Sequence, residues 1–340
     1  MGTDHVFHGH VLMSHGWQLE NVVCPRFAVN QFAEVPEMSD DKNLLADSPI
    51  PNSPVVPNQL SGDAVIQFRC HKGIDCFNAC CRNIDIMLTP YDIVRLKQRL
   101  GITSTEFLRQ YTVPFEFAKD GVAGVNLKPV EGGMACQFMT DEGCSVYEDR
   151  PTACRYYPVG LLSTRRQDEN FDRASYALVQ ENHCHGHFED RKLTIDEYRK
   201  EQGLEEYDEK GRLWRQQILK MKSAGPYIGR MSLTSRKFFF MASYDLDRFR
   251  EFVKSEGFNT TYDVDAETMD RLLTDDLALM EFGDRMIRQI MYAEITIAMK
   301  GDALETHLAR RGKIPAKDDA KEAEERPSMA SYEMPQDGDE

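Results

Sequence analysis

The sequence predicts an α+β fold: an irregular cysteine-rich metal-binding core of short strands and helices, followed by an all-helical C-terminal half. Three observations carry this. Eight of the nine cysteines fall between positions 70 and 184. The residues around them alternate only over strand-length runs. From Glu206 onward cysteine disappears while apolar residues recur at three- and four-residue spacing. The expected order is a proline-rich arm (1–61), a cysteine-cluster domain (62–205), a helical domain (206–312) and a disordered acidic tail (313–340).

The elements follow in turn. The arm holds six of the fifteen prolines, from Pro25 to Pro57, with no sustained periodicity. Ala64 to Arg69 alternates as a short strand leading into Cys70. Thr89, Pro90 and Asp92 supply an N-cap, a first-turn proline and a first-turn carboxylate, predicting a helix to about Leu100. Thr103 and Glu106 have capping-box spacing for a second helix to about Tyr111, and Thr194 with Glu197 for another to about Gln202. Strand patterns occupy Gly121 to Val130 and Asp172 to Val179, and shorter extended pieces, Met134 to Phe138 and Cys144 to Tyr147, flank a turn at Asp141 to Gly143. Helical periodicity then covers Arg212 to Lys222, Phe238 to Ser255 and Ala266 to Lys300. Pro315 to Glu340 carries three basic and nine acidic residues and almost no large apolar ones, the composition of a solvated tail.

Composition excludes several classes. With 41 basic and 56 acidic residues the chain has a net charge of −15, which repels nucleic-acid phosphates. The longest apolar run, Phe238 to Ala242, is far too short for a membrane span. The first eighteen residues lack the basic start and apolar centre of a secretory signal. The expectation is a soluble cytoplasmic protein, without nucleic acid or membrane insertion, whose helical half and tail engage a protein partner. In a reducing compartment nine thiols argue against a disulfide framework and for metal.

The eight clustered cysteines are Cys70, Cys76, Cys80 and Cys81, then Cys136, Cys144, Cys154 and Cys184. Eight thiols suit two four-cysteine sites, or one with spare thiols, and thiolates select zinc or iron–sulfur clusters. Zinc sites commonly use a C-x2-C knuckle, absent here, and the adjacent side chains of Cys80 and Cys81 would naturally serve different metal atoms. An iron–sulfur cluster of the 4Fe-4S type is therefore placed first and zinc second, with unmetallated thiols as the remaining reading. Neither a radical-enzyme C-x3-C-x2-C nor a nucleotide-binding glycine motif is present.

Around these thiols, Arg150 and Arg155 would either favour deprotonated sulfur or pair with Asp92 or Glu148. Tyr147, Tyr156 and Tyr157 read as packing that excludes water. His183, His185 and His187 would share a face on an extended strand and could meet at one ion, or else lie in a solvated loop. Cys24 and the N-terminal histidines His5, His8, His10 and His15 have no such context.

The run from Cys70 through Cys80-Cys81 to Thr89-Pro90-Tyr91-Asp92, with Cys136-Gln-Phe-Met and Cys144-Ser-Val-Tyr-Glu-Asp-Arg-Pro-Thr-Ala-Cys154-Arg, resembles the YkgJ-type cysteine-cluster family. The likeness spans about residues 65 to 205. It implies a zinc- or iron-chelating domain, while the number and clustering of the eight cysteines make them the expected ligands. Flagellin lysine N-methylase is an enzymatic relative, so the resemblance also implies an alternative function, S-adenosylmethionine-dependent methylation of protein lysine. The family opening C-x2-C-x2-C-C is here spaced as five and three.

Overall fold

The computed structural model describes residues 59–117, 122–164, 173–223, 232–292, 294–301 and 303. Residues 1–58 of the arm, with Cys24 and its histidines, and the acidic tail lie outside them. An α+β architecture is present, with helices throughout the C-terminal half.

Among the described residues the strands form four small antiparallel sheets. β1 (Val65–Gln67) pairs with β9 (Lys192–Thr194), Ile66 opposite Leu193. β4 (Val122–Leu127) lies between β2 (Met87–Leu88) and β3 (Thr112–Phe117). β5 (Met139–Thr140) and β6 (Gly143–Cys144) make a hairpin, and β7 (Val159–Thr164) pairs with β8 (Arg173–Leu178). The β5–β6 turn needs Gly143: its φ is +121°, and a Cβ there would stand 3.3 Å from the Phe77 ring.

Three helices begin where their caps predict. α1 (Pro90–Leu100), α2 (Ser104–Tyr111) and α4 (Ile195–Glu201) each start with a reciprocal capping box, from Thr89 with Asp92, Thr103 with Glu106, and Thr194 with Glu197. Between them α3 (Thr152–Tyr156) is a single helical turn. α5 (Leu204–Ser223) begins earlier than its periodicity suggests.

Two long predicted helices are broken. The stretch 238–255 divides into α6 (Leu233–Tyr244) and α7 (Leu246–Lys254), because Asp245 caps α7 by accepting from the Arg248 amide while also accepting from the Ser104 and Thr105 hydroxyls. After the short α8 (Glu256–Thr261), the stretch 266–300 divides into α9 (Ala266–Thr274) and α10 (Asp276–Tyr292) at Asp275, whose carboxylate accepts from the Leu277 and Ala278 amides. Lys97, buried on α1, ties these helices to the first half through Asp247 at 3.0 Å and Asp276 at 3.1 Å.

Two apolar clusters form the core. The larger runs from Ile84 to Ala153 and onward through Phe239, Phe249 and Phe282, so the cysteine region and the helical half pack against one another. The smaller gathers Ile66, Phe68, Tyr156, Leu193 and Tyr198. Among the described residues no helix is long and apolar enough to cross a membrane.

Candidate metal centre

The chain leaves β1 still bonded to the far segment, the Phe68 amide to the Arg191 carbonyl and the Arg69 amide to the Gly186 carbonyl, each at 3.0 Å. These contacts set Cys70 beside Cys184. A Cβ on Gly186 would meet the Arg69 carbonyl oxygen at 2.9 Å and the Phe68 ring at 2.6 Å, so the close approach requires glycine. From His71 to Arg82 the backbone winds through successive tight turns, among them Asn78 at φ 64°, whose amide side chain donates to the Thr140 carbonyl. These turns present Cys76, Cys80 and Cys81. The Cys136 amide donates to the Cys81 carbonyl at 2.7 Å, Cys144 sits on β6, and Cys154 lies within α3.

All eight cysteines line one cavity of about 540 Å³, whose walls come from both apolar clusters. Sequence separations of more than a hundred residues are closed by the fold: the His185 amide donates to the Cys76 sulfur at 3.2 Å. Cys136 is buried, Cys70 and Cys80 are exposed, and the others are half-buried.

Burial pushes the thiols up, to about 11 for Cys70 and Cys136, and well above the ordinary range for Cys154. Cys80 departs from this pattern. Its sulfur is 3.9 Å from that of Cys81, and the Cys81 thiol directed at it holds Cys80 down to about 7 while Cys81 keeps its proton. Cys80 combines this acidity with an exposed position. At pH 7.5 the metal-free chain should be alkylated first at Cys80 and last at Cys136 and Cys154. Timed iodoacetamide labelling with peptide mass mapping checks this order, which equal rates at all eight thiols would contradict.

The arginines divide their roles. Arg150 lines the cavity, lies 4.3 Å over the Tyr147 ring, and favours the thiolates of Cys70, Cys80, Cys144 and Cys154. Its Nη2 donates to Gln202, but its Nε is buried without a partner. Arg155 bonds instead to the backbone carbonyls of Arg150, Gln202 and Glu148 and lies over Tyr207, tying the helical turn that carries Cys154 to the residues around it. Neither pairs with the Asp92 or Glu148 carboxylate. Of the tyrosines, Tyr156 is buried and bonded to Asp208, Tyr157 borders Cys184, and Tyr147 is largely exposed.

The three histidines do not converge. His185 to Phe188 forms a 3-10 turn, so the alternation of an extended strand is lost. His183 lies 3.5 Å from Glu181, His185 Nδ1 is 2.6 Å from Asp75, and half-buried His187 bonds to the Val179 carbonyl. Asp75, Cys76 and His185 do meet, with ligating atoms all within 4.8 Å of one another. The sequence reading overlooked Asp75; its adjacency to Cys76 was the available signal.

The donor set suits a thiophilic metal, and the unpartnered Arg150 Nε beside it suits contents carrying negative charge. Residues 69–211 match the model of the CxxCxxCC family, described as a "Putative zinc- or iron-chelating domain". Over this segment the chain is similar to that family. No curated protein and no solved structure matches the chain.

Proposed function

We propose that the cysteine cavity holds iron as iron–sulfur centres of the four-iron type, and that the chain serves as a redox or metal module for a protein partner in the cytoplasm. The spacing of the thiols carries this reading. Four sulfurs held about 2.3 Å from one zinc ion stand only about 3.8 Å apart. Among the described residues the only set of three or more candidate ligands lying within 4.8 Å of one another is Asp75, Cys76 and His185, with a single thiol. Eight sulfurs spread over a 540 Å³ cavity match a polynuclear centre, whose ligands bind separate irons.

Such a centre supplies one-electron chemistry when bound. The protein's share is to hold the sulfurs, to set the local charge through Arg150, and to exclude water with Phe138, Val146 and Tyr198. Phe188, 79% exposed beside His185, and Tyr147, 54% exposed on the cavity wall, offer apolar purchase for a docking partner.

Anaerobic purification followed by visible absorption, iron and acid-labile sulfide assays tests the reading. A brown protein with iron and sulfide is expected. A colourless protein with stoichiometric zinc and no sulfide would overturn it, and S-adenosylmethionine binding measured by calorimetry would turn the function toward methyl transfer.

A further inference from the structure

The eight thiols are not equivalent in their surroundings. Cys81, Cys136, Cys144 and Cys154 all pack against the larger apolar cluster. Cys184 packs against the smaller one, and Cys70, Cys76 and Cys80 belong to neither. Exposure divides the same way: the first four include buried Cys136 and no exposed residue, whereas Cys70 and Cys80 are open to solvent.

Backbone contacts follow this division. Cys81 and Cys136 are joined directly by the amide-to-carbonyl bond of 2.7 Å. On the other side, the Arg69–Gly186 bond brings Cys70 to Cys184, and the His185 amide on the Cys76 sulfur brings Cys76 to the same segment. Cys80 touches both groups, as the residue preceding Cys81 must.

Building on the iron–sulfur reading, we propose that the cavity contains two separate metal centres: an inner one on Cys81, Cys136, Cys144 and Cys154, and an outer one on Cys70, Cys76, Cys80 and Cys184. The Cys80–Cys81 peptide is the shortest covalent link between them. The division accounts for the adjacent cysteine pair, for the number of thiols and for a cavity far larger than one mononuclear site requires. The outer centre, with two exposed ligands, is the one that chelators and oxygen reach first.

The test uses the full chain purified without oxygen, read by iron and sulfide content and by electron paramagnetic resonance of the reduced protein. About eight irons and eight sulfides per chain are expected if both centres are of the four-iron type. Cys70→Ser and Cys184→Ser should each remove half of the iron and leave the signal of one isolated cluster. Cys154→Ser should remove the other half. Because Cys154 packs against the core and its variant could fail to fold, the exposed Cys70→Ser and timed chelation of the unaltered protein decide independently: chelation should release iron in two phases of equal size. A wild-type content of about four irons that Cys70→Ser and Cys184→Ser leave untouched or abolish entirely would overturn the two-centre proposal while leaving the iron–sulfur reading intact. Absence of iron and sulfide from the unaltered protein would overturn both.

Discussion

Stripping the metal is expected to lower the melting temperature by about 10 °C and to reverse the slope of stability against pH. The magnitude follows from mass action. A ligand present at a thousand times its dissociation constant adds about 4 kcal/mol, and each kcal/mol moves the midpoint by about 2–4 °C for domains of this size. The tight turns from His71 to Arg82 and the two-residue strands β5 and β6 have little regular structure of their own, so they should lose order first. The helices around Phe239, Phe249 and Phe282 keep their apolar core and should retain most of their ellipticity.

The pH signs are opposite in the two states. In the metal-free chain Cys70 and Cys136 are raised from 9 to about 11, so the fold favours their protonated forms. That contribution is present below pH 9 and is lost as pH rises through 11. With metal bound the sulfurs must be deprotonated, so acid competes with the metal and stability falls as pH drops. Thermal melts from pH 6 to 10, with and without a chelator, should therefore converge on the acid side and diverge on the alkaline side. Parallel curves would show that the thiols bind no metal that matters to the fold.

Where local chemistry decides structure, the sequence was readable. The capping boxes at Thr89, Thr103 and Thr194 satisfy amides within four residues, so α1, α2 and α4 could be placed almost to the residue. The breaks at Asp245 and Asp275 were missed because apolar periodicity continues across them and an aspartate inside a helical pattern is unremarkable until its carboxylate is seen capping. β3 and β7 were missed as well. Each is held by one long antiparallel partner, β4 or β8, so its evidence lies in another part of the chain. Clustering of the cysteines foretold their common cavity, but not that Asp75 would meet His185 across 110 residues.

Asp92 is the clearest case of a local signal with a distant purpose, and its replacement by alanine should cost about 3–5 kcal/mol. The carboxylate is fully buried. One oxygen accepts from the Thr89 amide at 2.8 Å and completes the capping box of α1. The other accepts from both the amide and the hydroxyl of Thr152, each at 2.7 Å, at the first residue of the turn that carries Cys154. Loss of a cap costs about 1 kcal/mol, and each buried donor left without an acceptor costs about 1–3 kcal/mol. Burial pushes the Asp92 carboxyl up against the pull of these donors. Asp92→Asn should therefore be the milder change: it keeps an oxygen for Thr152 but turns an NH2 toward the Thr89 amide. Chemical denaturation should rank the proteins wild type, Asn, Ala. Because Thr152 anchors α3, the alanine variant should also bind less metal than the asparagine variant at equal protein concentration. An alanine variant that is destabilised yet loads metal normally would confine Asp92 to capping α1 and separate it from the positioning of Cys154.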